Sequence, residues 1–312
     1  MKKFIHVITT LSLLVWAAMI IANAGQPKPL SGTISLSGAW AIYPLAVKWG
    51  EGFKKLHPDV KFEISAGGAG KGLTDAITGA VDIGMVSREV DKAEKAKGAF
   101  PIYIAKDAVF ATISSKNPSL ANIQAKGISL KKFGDIFINN RVTTWKEAVG
   151  GVDSPIHLYT RADACGAASA WAATLGKYKQ DDLKGIGVYG DPGLLEAVRR
   201  DPLGIGYNNL GFVFSNENVN PGIVIVPIDA NNNCKVDPNE RIDSRDKAYQ
   251  EVAAGRYPGS RREYFVTKGQ PKGLAKDFIE YALSEEGTKV LKDVGGYVPL
   301  TDKEQKAELG RF

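Results

Sequence analysis

The 312-residue chain is 44% hydrophobic and 24% charged, and it contains 34 Gly, 15 Pro and two Cys. These values are typical of a folded globular protein, and they exclude a collagen, a coiled coil, a disordered chain and a disulfide-stapled miniprotein. The net charge of +6 raises the question of an anionic partner. Because Lys and Arg are spread along the chain rather than clustered, we expect no nucleic-acid partner.

The first 24 residues have the organisation of a secretory signal peptide. Lys2 and Lys3 form a basic start, residues 7–22 are mostly apolar, and Ala22-Asn23-Ala24 is a small-x-small cleavage signal. An uncleaved anchor helix is the alternative, although the apolar run is short for a membrane span. We expect cleavage before Gly25 and a monomeric periplasmic protein that is not embedded in the membrane.

The mature chain alternates predicted strands and helices, which favours the α/β class. Ile42, Leu45, Trp49 and Phe53 recur at three- and four-residue steps, which predicts a helix over 42–56, whereas residues 60–65 alternate as in a strand. Further strands are predicted over 33–37, 81–86, 108–114, 157–160, 204–207 and 223–228. Further helices are predicted from the glycine loop 67–72 to about 79, and over 130–137, 164–175, 194–200, 274–283 and 286–294.

Three strand-to-helix turns are candidates for binding an anion. They are Ser37-Gly38-Ala39-Trp40, the loop from Gly67 to Gly72, and the segment from Arg161 to Ala167. Glycine lets backbone N–H groups approach a ligand, and a helix N-terminus attracts negative charge. A single loop of this kind is usually only a tight turn, but three of them, one with an Arg, are able to converge on one oxyanion.

Seven segments carry a family resemblance in order along nearly the whole mature chain. They are SGAWAIYPLAVKWGEGF, SAGGAGKGLTDAITGAVDIGMVSRE, FGDIFINNRVTTWKE, YTRADACGAA, DPLGIGYNNLGFV, YFVTKG and VGGYVPL. Together they resemble the phosphate-type periplasmic binding proteins, the substrate-binding subunits of phosphate ABC importers. The resemblance implies the two-lobed type II periplasmic binding protein fold, in which each lobe is a mixed sheet flanked by helices and two crossover strands join the lobes.

The resemblance also implies where the lobes divide. The first lobe is expected over 25–108 plus 263–312 and the second over 109–262, with crossovers near 107–114 and 262–268. An oxyanion is expected between helix N-termini in the cleft that separates the lobes. The expected ligand residues are Gly38, Ala39, Trp40, Ala69, Gly70, Lys71, Ser87, Arg88, Arg161, Asp163, Cys165, Gly166 and Ala167.

Several of these residues depart from the family pattern. Ala39, Ala69, Cys165 and Ala167 stand where the family usually offers hydroxyl side chains. Each lost hydrogen bond to a charged group is worth about 1.5–3 kcal/mol, so the losses need compensation. Lys71, Arg88 and Trp40 are the residues most able to supply it, and a different or larger anion is the alternative ligand.

Each candidate also has a purely structural interpretation. Arg161 with Asp163 is able to form an ordinary ion pair, and Lys71 to be a solvated loop lysine. Arg88 has Glu89 or Glu63 as a prospective partner, and Trp40 is able to pack in the core.

Residues 229–240 match the twelve-residue loop of an EF-hand. Oxygen-bearing side chains fall at positions 1, 3, 5, 9 and 12, and position 7 contributes a backbone carbonyl. Cys234 replaces the usual glycine at position 6, and a strand rather than a helix precedes the loop. We expect a structural Ca²⁺ site, with an Asn-rich turn as the alternative. The expected ligands are Asp229, Asn231, Asn233, Lys235, Asp237 and Glu240.

The sequence offers few residues for catalysis and few for a disulfide bond. His57 and His157 are the histidines of the mature chain, and no third group supports a nucleophilic pair of Cys165 with His157. A disulfide between Cys165 and Cys234 is permitted by export, but nothing in the sequence brings the two together.

The sequence therefore predicts a non-enzymatic solute-binding protein that captures phosphate or a related oxyanion for the permease of an ABC importer. An extracytoplasmic anion sensor or interaction protein with the same fold is the alternative, as is binding of molybdate, tungstate, sulfate or a small organic anion.

Overall fold

The computed structural model describes residues 29–312, so the predicted signal peptide over 1–24 lies outside the described residues. Nine of the described strands join in one long ladder in the order β2-β1-β3-β11-β4-β7-β5-β6, with β10 added against β4, and β8 pairs with β9 in a separate small sheet. The strands are β1 (Gly32–Gly38), β2 (Val60–Ala66), β3 (Ile83–Val86), β4 (Ala99–Ser114), β5 (His157–Arg161), β6 (Ile186–Val188), β7 (Gly204–Asn209), β8 (Phe214–Ser215), β9 (Asn218–Val219), β10 (Ile223–Ile225) and β11 (Ser260–Lys268).

Helices flank this ladder, and they confirm the predicted α/β class. The first of them begins at Tyr43 with Pro44 in its first turn, where the missing proline N–H costs nothing. The helices are α1 (Tyr43–Leu56), α2 (Ala69–Thr78), α3 (Lys92–Ala96), α4 (Leu120–Lys126), α5 (Leu130–Phe137), α6 (Trp145–Val149), α7 (Gly166–Leu175), α8 (Gly190–Arg200), α9 (Leu210–Val213), α10 (Arg245–Ala253), α11 (Gly273–Ala282), α12 (Glu285–Val294) and α13 (Asp302–Leu309).

Two separate hydrophobic cores divide the molecule into two lobes. The core of the first lobe is built around Trp49, Phe53 and Phe265. The core of the second lobe is built around Trp145 and Trp171, from the middle of the chain. Each core gathers buried side chains from strands and from the apolar faces of the flanking helices, which is the main source of stability for such layers.

Two long antiparallel strands, β4 and β11, pass between the lobes. Residues of β4 up to Ala105 pack in the first core, and from Ala108 onward they pack in the second. Arg261 of β11 lies opposite Asp107 of β4 in the ladder, and the register shifts between Glu263 and Tyr264. The parallel strands β1, β2 and β3 lie on one side of this pair, and β5, β6 and β7 lie on the other.

The parallel arrangement decides where the predicted binding turns lie. The turns after β1, β2 and β3 leave the carboxyl ends of first-lobe strands, and the turn after β5 leaves a second-lobe strand. Open α/β sheets bind ligands at such ends. No helix within residues 29–312 is long and apolar enough to cross a membrane.

Candidate functional site

The predicted binding turns of the two lobes lie against one another. The backbone N–H of Gly70 donates to the carbonyl oxygen of Ala164 over 3.3 Å, which joins the glycine loop of the first lobe to the turn after β5. Gly166 packs so closely on Ser87 that any side chain at position 166 would clash with the serine. The structure therefore brings together the turns that carry Ala69, Gly70, Ser87, Asp163 and Gly166.

Arg161 is the buried cation of this site. Its side chain is fully buried, and its Nε and Nη2 donate to Oδ1 and Oδ2 of Asp163 over 2.8 and 2.6 Å. Its Nη1 donates to Oδ2 of Asp191 over 2.7 Å. A guanidinium carries five N–H groups, so two of them have no partner in the described part of the chain.

Electrostatics keep Arg161 charged. Burial alone would lower the pKa of its guanidinium, but the adjacent Asp191 raises it overall. Burial raises the pKa of Asp191, an effect that the charges of Arg161 and Arg261 oppose. The two carboxylates that hold the cation also neutralise much of its charge, so the remaining attraction for an anion depends on hydrogen bonds and helix N-termini.

The helix N-termini at the site supply backbone donors. The first N–H groups of an α-helix have no intrahelical acceptor, and those of α2 and α7 begin at Ala69 and Gly166. Ala167, in the same first turn of α7, is buried. The turns after β2 and β5 thus aim partial positive charge at the place where the lobes meet.

Cys165 caps the N-terminus of α7 in place of a hydroxyl residue. Its Sγ accepts a hydrogen bond from the backbone N–H of Ala168 over 3.3 Å. Burial raises the pKa of the thiol to about 12, although the charge of Arg161 opposes this. Cys165 is therefore a neutral cap at neutral pH, and both it and the exposed Cys234 are free thiols.

Trp40 lies at the same junction with an unused donor. Its indole Nε1 is buried and finds no acceptor within residues 29–312. The ring packs edge-on against Tyr189 of the second lobe, with ring centroids 6.1 Å apart, and a Cβ added to Gly190 would lie 3.2 Å from its Cε2. The N–H of Gly190 donates to Oδ1 of Asp163 over 3.1 Å, which places the indole beside the Arg161 pair.

The remaining first-lobe candidates contribute differently. Ala39 donates its N–H to the carbonyl of Met85 over 2.9 Å and is buried, so its turn is held against β3, and Gly38 precedes it with φ of +134°. Lys71 is half exposed and pairs with Asp75 one turn along α2. Arg88 donates from both Nη atoms to Glu94, over 2.7 and 2.9 Å. These two cations already have carboxylate partners in the structure.

Several polar residues of the junction were not among the predicted ligands. Asp191, Asn209, Asp107 and Arg261 form a buried chain of hydrogen bonds that starts at Arg161. Asp191 and Asn209 each belong to a turn-like motif, Gly-Asp-Pro and Tyr-Asn-Asn, which is a weak local signal. Asp107 and Arg261 lie inside strands and carry no local signal.

The predicted calcium loop forms a self-contained turn. Asp229 and Glu240 are buried, and each accepts two backbone N–H groups from inside the loop. The amide nitrogens of Asn231 and Asn233 both donate to Oδ2 of Asp237, over 2.7 and 3.1 Å. Cys234 has a φ of +60°, the left-handed conformation that position 6 of such a loop adopts.

The loop has fewer clustered carboxylates than a strong metal centre. Within residues 29–312 no three His, Cys, Asp or Glu side chains gather closely enough to form a metal cluster. The amide nitrogens of Asn231 and Asn233 face Asp237, while their oxygens accept the backbone N–H groups of Asn233 and Lys235. Ca²⁺ accepts amide and backbone oxygens as well as carboxylates, so the loop contains residue types that ligate calcium, but the carboxylate oxygens of Asp229 and Glu240 accept backbone N–H groups here.

Comparison with known proteins assigns the fold to a family. The PBP superfamily domain matches residues 23–286 of the chain. The chain belongs to this superfamily. It is 30% identical to the phosphate-binding protein PstS of Bacillus subtilis, with 94% of each chain covered, and 26% identical to PstS of Pseudomonas aeruginosa, with 97% and 96% covered.

Solved structures agree with this assignment. A substrate-binding protein from Clostridium perfringens with bound phosphate has 26% identity and a TM-score of 0.72, over 86% of this chain and all of that one. An ABC-type phosphate transport receptor from Vibrio cholerae has a TM-score of 0.66 over 86% of this chain and all of that one, and at 19% identity it supports the fold alone. This PBP-superfamily chain therefore resembles two-lobed PstS-type binding proteins, as the motifs predicted.

Proposed function

We propose that this protein captures phosphate, or a closely related oxyanion, between its two lobes and delivers it to an ABC importer. The observation that carries the proposal is the geometry of Arg161, a buried guanidinium fixed by Asp163 and Asp191 with two N–H groups unused. The PstS relatives and the phosphate-bound substrate-binding protein from Clostridium perfringens support phosphate as the ligand.

The binding interactions follow from groups at the junction. Arg161 supplies charge-assisted hydrogen bonds, which are about twice as strong as neutral ones. The first turns of α2 and α7 supply backbone N–H groups, and Trp40 supplies an indole N–H that lacks an acceptor in the described chain. These donors replace hydroxyl groups that Ala39, Ala69, Cys165 and Ala167 do not provide.

A different anion is the second candidate, and the same four residues favour it. Without their hydroxyl groups the site offers fewer directional donors to a small tetrahedral ion. Molybdate, tungstate, sulfate and small organic anions are therefore included in the binding test.

Isothermal titration of the mature protein tests both candidates. We expect one-to-one binding of phosphate by the wild type, and an affinity reduced about tenfold or more by Arg161→Lys, because a lysine cannot reproduce the fork of N–H groups. Arg200→Lys, at an exposed position at the end of α8, is the matched control and should bind as the wild type does. Tighter binding of another anion than of phosphate would favour the second candidate.

The export route, the partner and the oligomeric state belong to the same proposal. We infer that residues 1–24 direct the chain to the periplasm, and that the protein works there as a monomer that meets a membrane permease. Uptake of labelled phosphate by cells that lack the gene tests the transport role. Lost uptake supports it, whereas normal uptake with altered gene regulation would favour the sensor alternative.

We also propose that residues 229–240 bind one structural Ca²⁺. The ligands would be the side-chain oxygens of Asp229, Asn231, Asn233, Asp237 and Glu240 with the carbonyl of Lys235. The loop joins the end of the Ile223–Ile228 segment to α10, so an ion there would stiffen the second lobe rather than take part in anion binding. The melting temperature should rise on adding Ca²⁺ to EDTA-treated protein, with Mg²⁺ as the control ion, and Asp237→Asn should remove the rise.

A further inference from the structure

Arg261 stands at the point where the crossover strands meet both lobes. Its guanidinium is almost fully buried and lies beside Asp107 of the opposite crossover strand, with Nη2 donating to Oδ2 over 2.6 Å. Its Nη1 donates to the carbonyl oxygen of Ser87, at the end of β3 in the first lobe, over 3.2 Å. Its Nη2 also donates to Oδ1 of Asn209, at the end of β7 in the second lobe. One side chain therefore joins the first lobe, the second lobe and the crossover.

A chain of hydrogen bonds leads from Arg261 to Arg161. The amide nitrogen of Asn209 donates to Oδ1 of Asp191 over 2.6 Å. The other carboxylate oxygen of Asp191 accepts from Nη1 of Arg161 over 2.7 Å. Asp191 and Asn209 are both buried. Two side chains thus separate the guanidinium of the crossover from the guanidinium of the anion site.

The polarity of Asn209 makes this chain directional. Its amide oxygen accepts from Arg261 while its amide nitrogen donates to Asp191. A flipped amide would place N–H groups against a guanidinium and oxygen against a carboxylate, and both contacts would be repulsive. Asn209 is therefore held in one orientation as long as Arg261 is in place, and through it the position of Asp191 is held as well.

Ser87 ties the same cation to the anion site from the other side. Arg261 holds its carbonyl, and its hydroxyl side packs against Gly166 at the start of α7. If the lobes move apart, Arg261 cannot keep both its bond to Ser87 and its bond to Asn209. The contacts of Arg261 with Ser87 and Asn209 therefore hold the two lobes in the arrangement seen in this structure.

We propose that Arg261 is a positioning residue that couples closure of the two lobes to the orientation of Arg161, acting through Asn209 and Asp191. The proposal rests on the proposed function, because it assumes that Arg161 binds the anion. Arg261 itself does not touch the ligand. When the lobes close, its bonds to Ser87 and Asn209 form together, and they fix Asp191 against Arg161 in the geometry that receives the anion.

A double-mutant cycle in phosphate affinity tests this coupling. The variants are Arg261→Lys, Arg161→Lys and the double variant, each titrated with inorganic phosphate and checked for folding by circular dichroism. Lysine keeps the charge at position 261 but cannot donate to Asp107, Ser87 and Asn209 in one plane. Arg262→Lys is the matched control, since Arg262 lies next in the strand but stacks on the ring of Tyr103, with its Cζ 5.1 Å from the ring centre.

We expect Arg261→Lys to weaken phosphate binding about tenfold in the wild-type background and less than twofold in the Arg161→Lys background. Arg262→Lys should change the affinity less than twofold in both. Equal effects of Arg261→Lys in the two backgrounds would overturn the proposal, because a merely structural role would add to the Arg161→Lys effect. If Arg261→Lys does not fold, Asn209→Ala replaces it in the cycle, with the same expected and contradicting results.

The result also separates this proposal from the proposed function. Phosphate binding by the wild type that is weakened by Arg161→Lys supports the anion site, whatever Arg261→Lys does. Absence of binding by the wild type to phosphate and to the other anions would contradict the proposed function itself, and the coupling proposal would fail with it.

Discussion

Asp163 holds the Arg161 guanidinium through two parallel hydrogen bonds of 2.8 and 2.6 Å, between side chains that are both almost completely buried. A third bond, to Asp191, completes the restraint. In this arrangement of the lobes the cation therefore has one defined orientation, which reduces the entropy cost of binding. The same arrangement makes the cation essential to the fold, because two buried carboxylates depend on it.

Arg161→Ala should therefore destabilise the protein strongly. Removing the cation leaves Asp163 and Asp191 buried without a counter-charge, which typically costs about 3–5 kcal/mol of unfolding free energy. Urea denaturation measures this loss. Lys146→Ala is the control, because Lys146 pairs with Asp153 on the exposed surface and such pairs contribute about 0–1 kcal/mol. Similar losses for the two variants would contradict the buried role of Arg161.

Trp40→Phe tests whether the indole N–H binds the ligand. The substitution keeps an aromatic ring against Tyr189 but removes a buried donor that has no acceptor in the described chain. We expect phosphate affinity to fall about tenfold, the value of one hydrogen bond to a charged group, with little change in the free energy of unfolding. Trp171→Phe is the matched control, since its Nε1 is also buried without a partner but lies in the second core. Equal affinities for Trp40→Phe and the wild type would contradict the assignment.

Glu263→Gln tests the charge state of the crossover. Burial raises the pKa of Glu263 well above 4.5, an effect that the charge of Arg261, whose Nε lies 3.1 Å from Oε1 of Glu263, opposes. The folded state therefore keeps its proton at pH values where the unfolded state releases it. The contribution of the Glu263 carboxyl to the free energy of unfolding is fully present below about pH 4.5. It is lost as the pH rises towards the pKa of the folded state. Glu263→Gln should raise the melting temperature more at pH 8 than at pH 5, and an equal change at both would contradict the buried neutral carboxyl.

Cys234→Gly tests the strain in the calcium loop. A residue other than glycine at a φ of +60° costs about 1–3 kcal/mol, whereas a new glycine adds about 0.4–1 kcal/mol of unfolded-state entropy. We expect a net gain in the free energy of unfolding and a tighter response to Ca²⁺. Asn232→Gly is the control, because Asn232 has the same φ but asparagine tolerates this region. A loss of stability in Cys234→Gly would show that the cysteine is not strained.

Helices and strands whose apolar residues repeat at a regular spacing are predicted well from the sequence. Elements without such a repeat are predicted poorly. The helix expected over 42–56 is observed over Tyr43–Leu56, because its apolar face repeats at helical spacing. Only the second half of β4 was predicted, since Pro101, Lys106 and Asp107 interrupt the apolar pattern of its first half. Helix α10 was missed because tertiary contacts and the Ser244 cap, rather than a strong apolar pattern, define it.

In the site, too, residue pairs that are close in the sequence are predicted from it, whereas pairs that are far apart in the sequence are not. Arg161 and Asp163 are two positions apart in a recognisable motif, so sequence reasoning finds them together. Arg261 and Asp107 form an equally buried pair but lie 154 positions apart, inside strands that carry no turn or glycine signal. Their pairing depends on the register of β4 against β11, which only the folded sheet defines.

A crystal structure of the protein grown with phosphate tests whether Arg161 binds the ligand between the lobes. We expect a phosphate ion enclosed there, within hydrogen-bond distance of an Arg161 Nη atom, of first-turn N–H groups of α2 and α7, and of Trp40 Nε1. Phosphate bound elsewhere on the protein, with Arg161 contacting Asp163 and Asp191 alone, would contradict it.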